Sequence, residues 1–141
     1  MKKRTKCRLW ALQAAYSSIT GCKKMEPALE EFYTYRGIGS ENREFTTKLV
    51  RQFSEHLEEV DSLLAAHLKN WSPERLALMD RIVIQLAVTE FLYLEDVPPK
   101  VTINEYVGLA HMFGTEDSPR FVNGVLDAVN KTLGRNPESL P

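Results

Sequence analysis

Cysteine is scarce in this chain, with only Cys7 and Cys22, and the pair fits no metal-ligand spacing. A disulfide between them is open to the chain, but a protein of 141 residues can bury a core without one. Reduced thiols in the cytoplasm are the expectation. Histidine is also sparse. His56, His67 and His111 lie far apart, and none sits beside a second ligand at zinc-like spacing. Alternating strand patterns are nearly missing, so no glycine-rich loop follows a strand; "GIGS" at 37–40 is turn material. Neither Ser nor Cys occurs in a recognisable nucleophile setting. Long apolar runs are absent too. After the basic start, "LWAL" gives way to Gln13, too short for a secretory signal, and no segment offers the roughly 18 apolar residues of a membrane span.

These absences leave little room for chemistry. Two acids on apolar stripes, Asp80 and Glu90, could suggest a catalytic pair. Ten residues on one helix separate them by about 15 Å, too far for joint acid–base work. Structural roles fit better, with Glu90 inside the fold and Asp80 nearer an edge. No catalytic residue, metal or cofactor is expected.

Helical periodicity is what the sequence has instead. Leu9, Leu12, Tyr16 and Ile19 share one face, so the basic start runs into a first helix. "PALEEFYTYRG" reads as a short second helix between Pro27 and Gly37. From Ser40 to Trp71 the apolar spacing is helical and holds no Pro or Gly. Two helices with a break near His56–Asp61 are favoured there, because a single rod would not fold back on a core. "WSPERLALMDRIVIQLAVTEFLYL" is apolar around most of its circumference, as a central helix should be, with Ser72 as its cap and Pro73 in its first turn. "TINE" suggests a capping box of Thr102 and Glu105 opening a helix that stops at Gly114. Ser118 and Pro119 open the last one. The expectation is an all-α fold of about seven helices in two small bundles.

Charge is unevenly spread. Lys2, Lys3, Arg4, Lys6 and Arg8 crowd the first eight positions, leaving 13 basic residues against 19 acidic ones in the remainder. Such a head is either a solvated tail or a polyanion contact. The last helix adds a second irregularity. Val122, Val125, Leu126, Val129 and Leu133 form its core stripe, while Phe121 projects about 100° away beside Arg120. Gly124 lies opposite the stripe, where a glycine costs about 1 kcal/mol relative to alanine. A close neighbour, either another helix or a ligand, would account for it. An exposed aromatic beside a cation at a helix N-terminus suits anions and unpaired bases.

Three segments carry a family resemblance. "DVPPKVTINEYVGLAHMFGTEDSPRFVNGVLDAV" closely resembles the C-terminal half of the NusB family of bacterial transcription antitermination factors. "RLWALQAAYS" is similar to that family's first helix, and "LMDRIVIQLAVTEFLY" to its central helix. The likeness spans nearly the whole chain and is weakest over residues 21–70. "FVNGVLD" together with "INE" is its most specific part.

The resemblance implies one NusB-like RNA-binding domain over residues 1–141, with a basic segment at 1–8 and a flexible tail at 135–141. It implies joint binding, with NusE, of single-stranded boxA RNA in ribosomal RNA leader transcripts. NusE is also a small-subunit ribosomal protein. Other Nus factors and RNA polymerase follow as indirect partners, with terminator read-through as the outcome. Position by position, the basic N-terminus falls on Lys2, Lys3, Arg4, Lys6 and Arg8, followed by Gln13 and Tyr16. The RNA-contacting start of the last helix falls on Asp117, Arg120 and Phe121, and the acid that holds NusE on Asp80. Both regions are expected to meet the same unpaired RNA. Where the family is often arginine-rich, this head has three lysines and two arginines with Thr5 and Cys7 between them. Lysine supplies charge without arginine's bidentate fork. Tyr16 also lies on the apolar stripe, so core and contact both remain open for it, as do monomer and homodimer for the protein. NusB-like domains also precede the catalytic domain of some RNA cytosine methyltransferases, for which 141 residues leave no room, so the stand-alone factor is expected. The alternative is a helical protein–protein adaptor without RNA binding.

Overall fold

A break in the middle of the longest helix organises the chain. The computed structural model describes residues 1–69, 71–94 and 96–134; the expected tail at 135–141 lies outside them. Among the described residues six α-helices appear in order: α1 (Lys3–Thr20), α2 (Met25–Arg36), α3 (Glu44–His67), α4 (Leu78–Tyr93), α5 (Pro99–Phe113) and α6 (Ser118–Leu133). Short 3-10 turns occupy Ser40–Asn42 and Pro73–Arg75, and no strand occurs among the described residues. Within α3, His56 leaves helical geometry at φ −118° and ψ 18°. The favoured break is therefore real, and counting α3 as two segments gives seven. The same residue divides the chain into two compact units, Met1–Glu55 and the part from His56 onward.

In the first unit α1 packs on α2. Their buried faces carry Ala11, Leu12, Ala14 and Ala15 from α1 and Ala28, Leu29 and Tyr33 from α2, with Leu49, Val50 and Phe53 from α3. Polar ties fix the register of α3. The Tyr33 hydroxyl donates to the Arg43 carbonyl at 3.3 Å and pairs with the Thr47 hydroxyl at 2.7 Å. Burial pushes the Tyr33 phenol above its ordinary pKa. Gly37 closes α2 in the left-handed region at φ 63°, where a side chain would be strained. Cys7 is buried, Cys22 is exposed, and both are free thiols.

In the second unit α4 is buried continuously from Ile82 to Phe91, the all-round burial its composition predicted. It packs on α5 and α6, which also pack on each other. Glu90 is 1% exposed, and its carboxylate accepts from Thr102 at 3.3 Å and from the Tyr106 hydroxyl at 2.5 Å. After the break, α3 is tied to α4 by Gln85 Nε2 donating to Asp61 at 2.8 Å. The Tyr93 hydroxyl donates to Glu59, and His56 stacks on the Tyr93 ring at 3.9 Å.

Three helix starts differ from the sequence reading. The Ser72 hydroxyl donates to Glu74 at 2.9 Å instead of capping, and the chain closes a 3-10 turn before α4 begins at Leu78. Asp80 therefore falls in the first turn of α4, where a carboxylate complements the helix dipole. Helix α5 starts at Pro99, whose fixed φ suits a first position, so Thr102 is inside the helix and its hydroxyl serves Glu90. Ser118 belongs to α6 itself, with Asp117 at the cap position and no side-chain cap bond. No described helix is long and apolar enough to cross a membrane.

Candidate nucleic-acid interface

Four of the five leading cations stand in solvent. Lys2, Lys3, Arg4 and Lys6 are exposed, with Lys2 at the cap position of α1 and the others in its first turns. No acidic residue lies in that first turn. Cations at a helix N-terminus oppose the helix dipole, at a cost of about 0.3–1 kcal/mol each. Their positive field favours an approaching anion.

The start of α3 holds this head in helical form. The Thr46 hydroxyl donates to the Cys7 carbonyl at 3.0 Å. Beside it, the guanidinium carbons of Arg4 and Arg8 lie 4.6 Å and 5.1 Å from the centre of the Phe45 ring. Arg8 differs from the other cations because it is 1% exposed. Its place is under the head rather than on it, and spacing alone could not distinguish it from Arg4. Further along α1, Gln13 is half-buried and accepts from Arg36 at 3.3 Å. Tyr16 is 40% exposed, so its ring is presented to solvent despite its place on the apolar stripe.

The second set of candidates lies in the other unit. Ser118 is buried and accepts the Thr115 N–H at 2.9 Å, folding the loop before α6 onto its first turn. Gly114 must lack a side chain there, since a Cβ would stand 2.4 Å from the Ser118 hydroxyl. The Asp117 carbonyl accepts the Phe121 N–H at 3.1 Å. Val122, Leu126 and Val129 turn inward, leaving Asp117, Arg120 and Phe121 exposed, with Phe121 at 39%. A Cβ on Gly124 would meet nothing within 4 Å. Of the two neighbours the sequence left open, no helix comes that close to Gly124 among the described residues, and Gly124 and Phe121 are both exposed. Asp80 is half-buried on α4.

Phe45 does not stand out in the sequence, because it keeps helical spacing with Leu49 and Phe53 inside the Ser40–Trp71 run. Those two are fully buried, whereas Phe45 is half-buried under two guanidinium groups. Helical spacing carries no signal for that difference.

Comparison with known proteins matches residues 5–131 to a family model described as the NusB family. The transcription antitermination protein NusB of Bacillus mycoides (strain KBAB4) is 42% identical over 134 residues, covering 94% of this chain and all of that one. Among solved structures, T. maritima NusB superposes with a TM-score of 0.83 at 32% identity, covering 93% of this chain and 92% of that one. A structure of antitermination factors NusB and NusE in complex with dsRNA gives a TM-score of 0.84 at 28% identity, covering 94% and 98%.

Proposed function

The chain belongs to the NusB family, and from that premise we propose that it is a non-catalytic RNA-binding factor in transcription antitermination. In this reading it binds boxA RNA of ribosomal RNA leader transcripts together with NusE, and through other Nus factors helps RNA polymerase pass terminators. The observation that carries the reading is the row of exposed cations Lys2, Lys3, Arg4 and Lys6 on a helix start whose own first turn contains no acidic residue. That arrangement costs helix stability and is repaid by an anionic partner. The relative solved with NusE and dsRNA supports the same partner classes.

Each residue then has a physical role. Lys2, Lys3 and Lys6 attract phosphates as point charges, and Arg4 adds a planar fork. Arg8, being buried, holds the head rather than touching RNA. Phe121 offers a stacking face, while Arg120, Asp117, Gln13 and Tyr16 provide polar groups for base edges and sugars. Asp80, in the first turn of α4, is the acidic contact for NusE.

A gel shift with a short boxA-type RNA, with and without NusE, tests the proposal. Retardation that strengthens when NusE is added is the expected result. No retardation under either condition would favour the protein–protein adaptor, for which the exposure of Gly124 and Phe121 is the supporting observation.

A further inference from the structure

We propose that Arg36, in the last turn of α2, is a further RNA contact that continues the cation row of α1. The inference rests on the RNA-binding reading above and adds a residue from a second helix to it.

Lys6, Gln13 and Tyr16 recur at i, i+7 and i+10, which puts them on one face of α1. Lys2 stands at the cap ahead of them. Lys6 and Gln13 are about 10 Å apart along the helix axis. Arg36 Nη1 donates to Gln13 Oε1 at 3.3 Å, which sets the guanidinium beside the far part of that face. The guanidinium carbon also lies 5.6 Å from the centre of the Phe32 ring, one turn back on α2 and within cation–π range. All of these residues belong to the first compact unit.

Arg36 meets no acid there. The glutamates of α2 are each taken by another cation: Glu26 by Arg51 at 3.2 Å, Glu30 by Arg43 at 3.8 Å and Glu31 by Lys23 at 2.8 Å. Arg36 is the one basic residue of α2 and is exposed. Among the described residues it forms no ion pair, and neither do Lys2 and Lys6. Gln13 is neutral, so it orients the guanidinium without cancelling its charge. A guanidinium carries five N–H donors, and the bond to Gln13 leaves others for a phosphate. Because Gln13 Oε1 accepts from Arg36, its Nε2 end is the one left to donate, as a carbonyl on a base edge requires. A single strand laid along this face would meet lysines at one end and Arg36 at the other.

The test is a salt titration of RNA affinity on the full chain with NusE, read by fluorescence anisotropy of a labelled boxA RNA. Arg36→Gln is expected to weaken binding about threefold to tenfold. It is also expected to make the slope of log K against log[salt] shallower by about 0.7, the value for one phosphate on a single strand. Arg36→Lys keeps the charge and is expected to keep the slope. Arg51→Gln removes another exposed arginine, one already paired with Glu26, and is expected to bind like the unsubstituted chain. Melting curves accompany the titrations, because a cation in the last turn of α2 also complements the helix dipole. That structural role alone would move Tm and leave the slope where it was. Unchanged affinity in Arg36→Gln would overturn the inference. So would a loss with the slope unmoved, a shallower slope in Arg36→Lys, or an equal loss in Arg51→Gln. No RNA binding by the unsubstituted chain would overturn the underlying reading, a separate and distinguishable result.

Discussion

Tyr106 donates its phenolic proton to the Glu90 carboxylate at 2.5 Å, and the pair anchors α5 to α4 inside the second unit. Thr102 donates to the other carboxylate oxygen at 3.3 Å. Hydrogen bonds to a charged acceptor contribute about 1.5–3 kcal/mol, and a buried acceptor deprived of its donor loses at least that much. Tyr106→Phe should therefore lower unfolding stability by about 1.5–3 kcal/mol, measured as a fall in the urea midpoint at constant slope. An unchanged midpoint would show that the carboxylate does not depend on this donor.

Gly124 gives a prediction of opposite sign. A Cβ there would meet nothing within 4 Å, and the residue is not among the glycines with positive φ. Gly124→Ala should stabilise α6 by about 0.5–1 kcal/mol, seen as a rise in Tm. A fall in Tm would mean that something approaches that backbone after all.

Phe121 separates binding from folding. Its ring is 39% exposed and off the face that buries Val122, Leu126 and Val129. Phe121→Ala should cost about 1–3 kcal/mol of RNA binding, with Tm nearly unmoved. A large drop in Tm would return the residue to a structural role.

Alkaline pH tests the link between Tyr93 and Glu59. The hydrogen bond to Glu59 holds the Tyr93 phenol up at about 12, against an ordinary value of 10.0. A raised pKa means that the folded state keeps this proton more tightly than the unfolded state. The stabilisation is present in full below pH 10.0 and disappears as pH rises through about 12. The Tm difference between the unsubstituted chain and Tyr93→Phe should therefore be constant from neutrality toward pH 10.0 and shrink above it. A difference that grows with alkalinity would contradict this sign.

Helix existence was legible because apolar spacing follows directly from burial. The all-round apolar character of residues 82–91 marked α4 as central, and the break near His56 followed from the need to fold back on a core. Helix starts were less legible, because capping side chains have more than one possible partner. Ser72 and Thr102 look like caps by spacing, yet their hydroxyls go to Glu74 and Glu90. Of the candidate site, exposure could be inferred for Phe121 from its angle on α6. The burial of Arg8 and its stacking with Phe45 depend on α3, which lies far along the chain, and no local pattern reports that contact.

The most direct test of the central claim is photo-crosslinking of a boxA RNA carrying thiouridine to the chain in the presence of NusE, with adducts located by mass spectrometry. RNA held by the exposed head and by the start of α6 should leave adducts in peptides covering residues 2–16 and 117–121, and lose them when unlabelled boxA RNA is added in excess. Adducts elsewhere only, or none at all, would contradict the account.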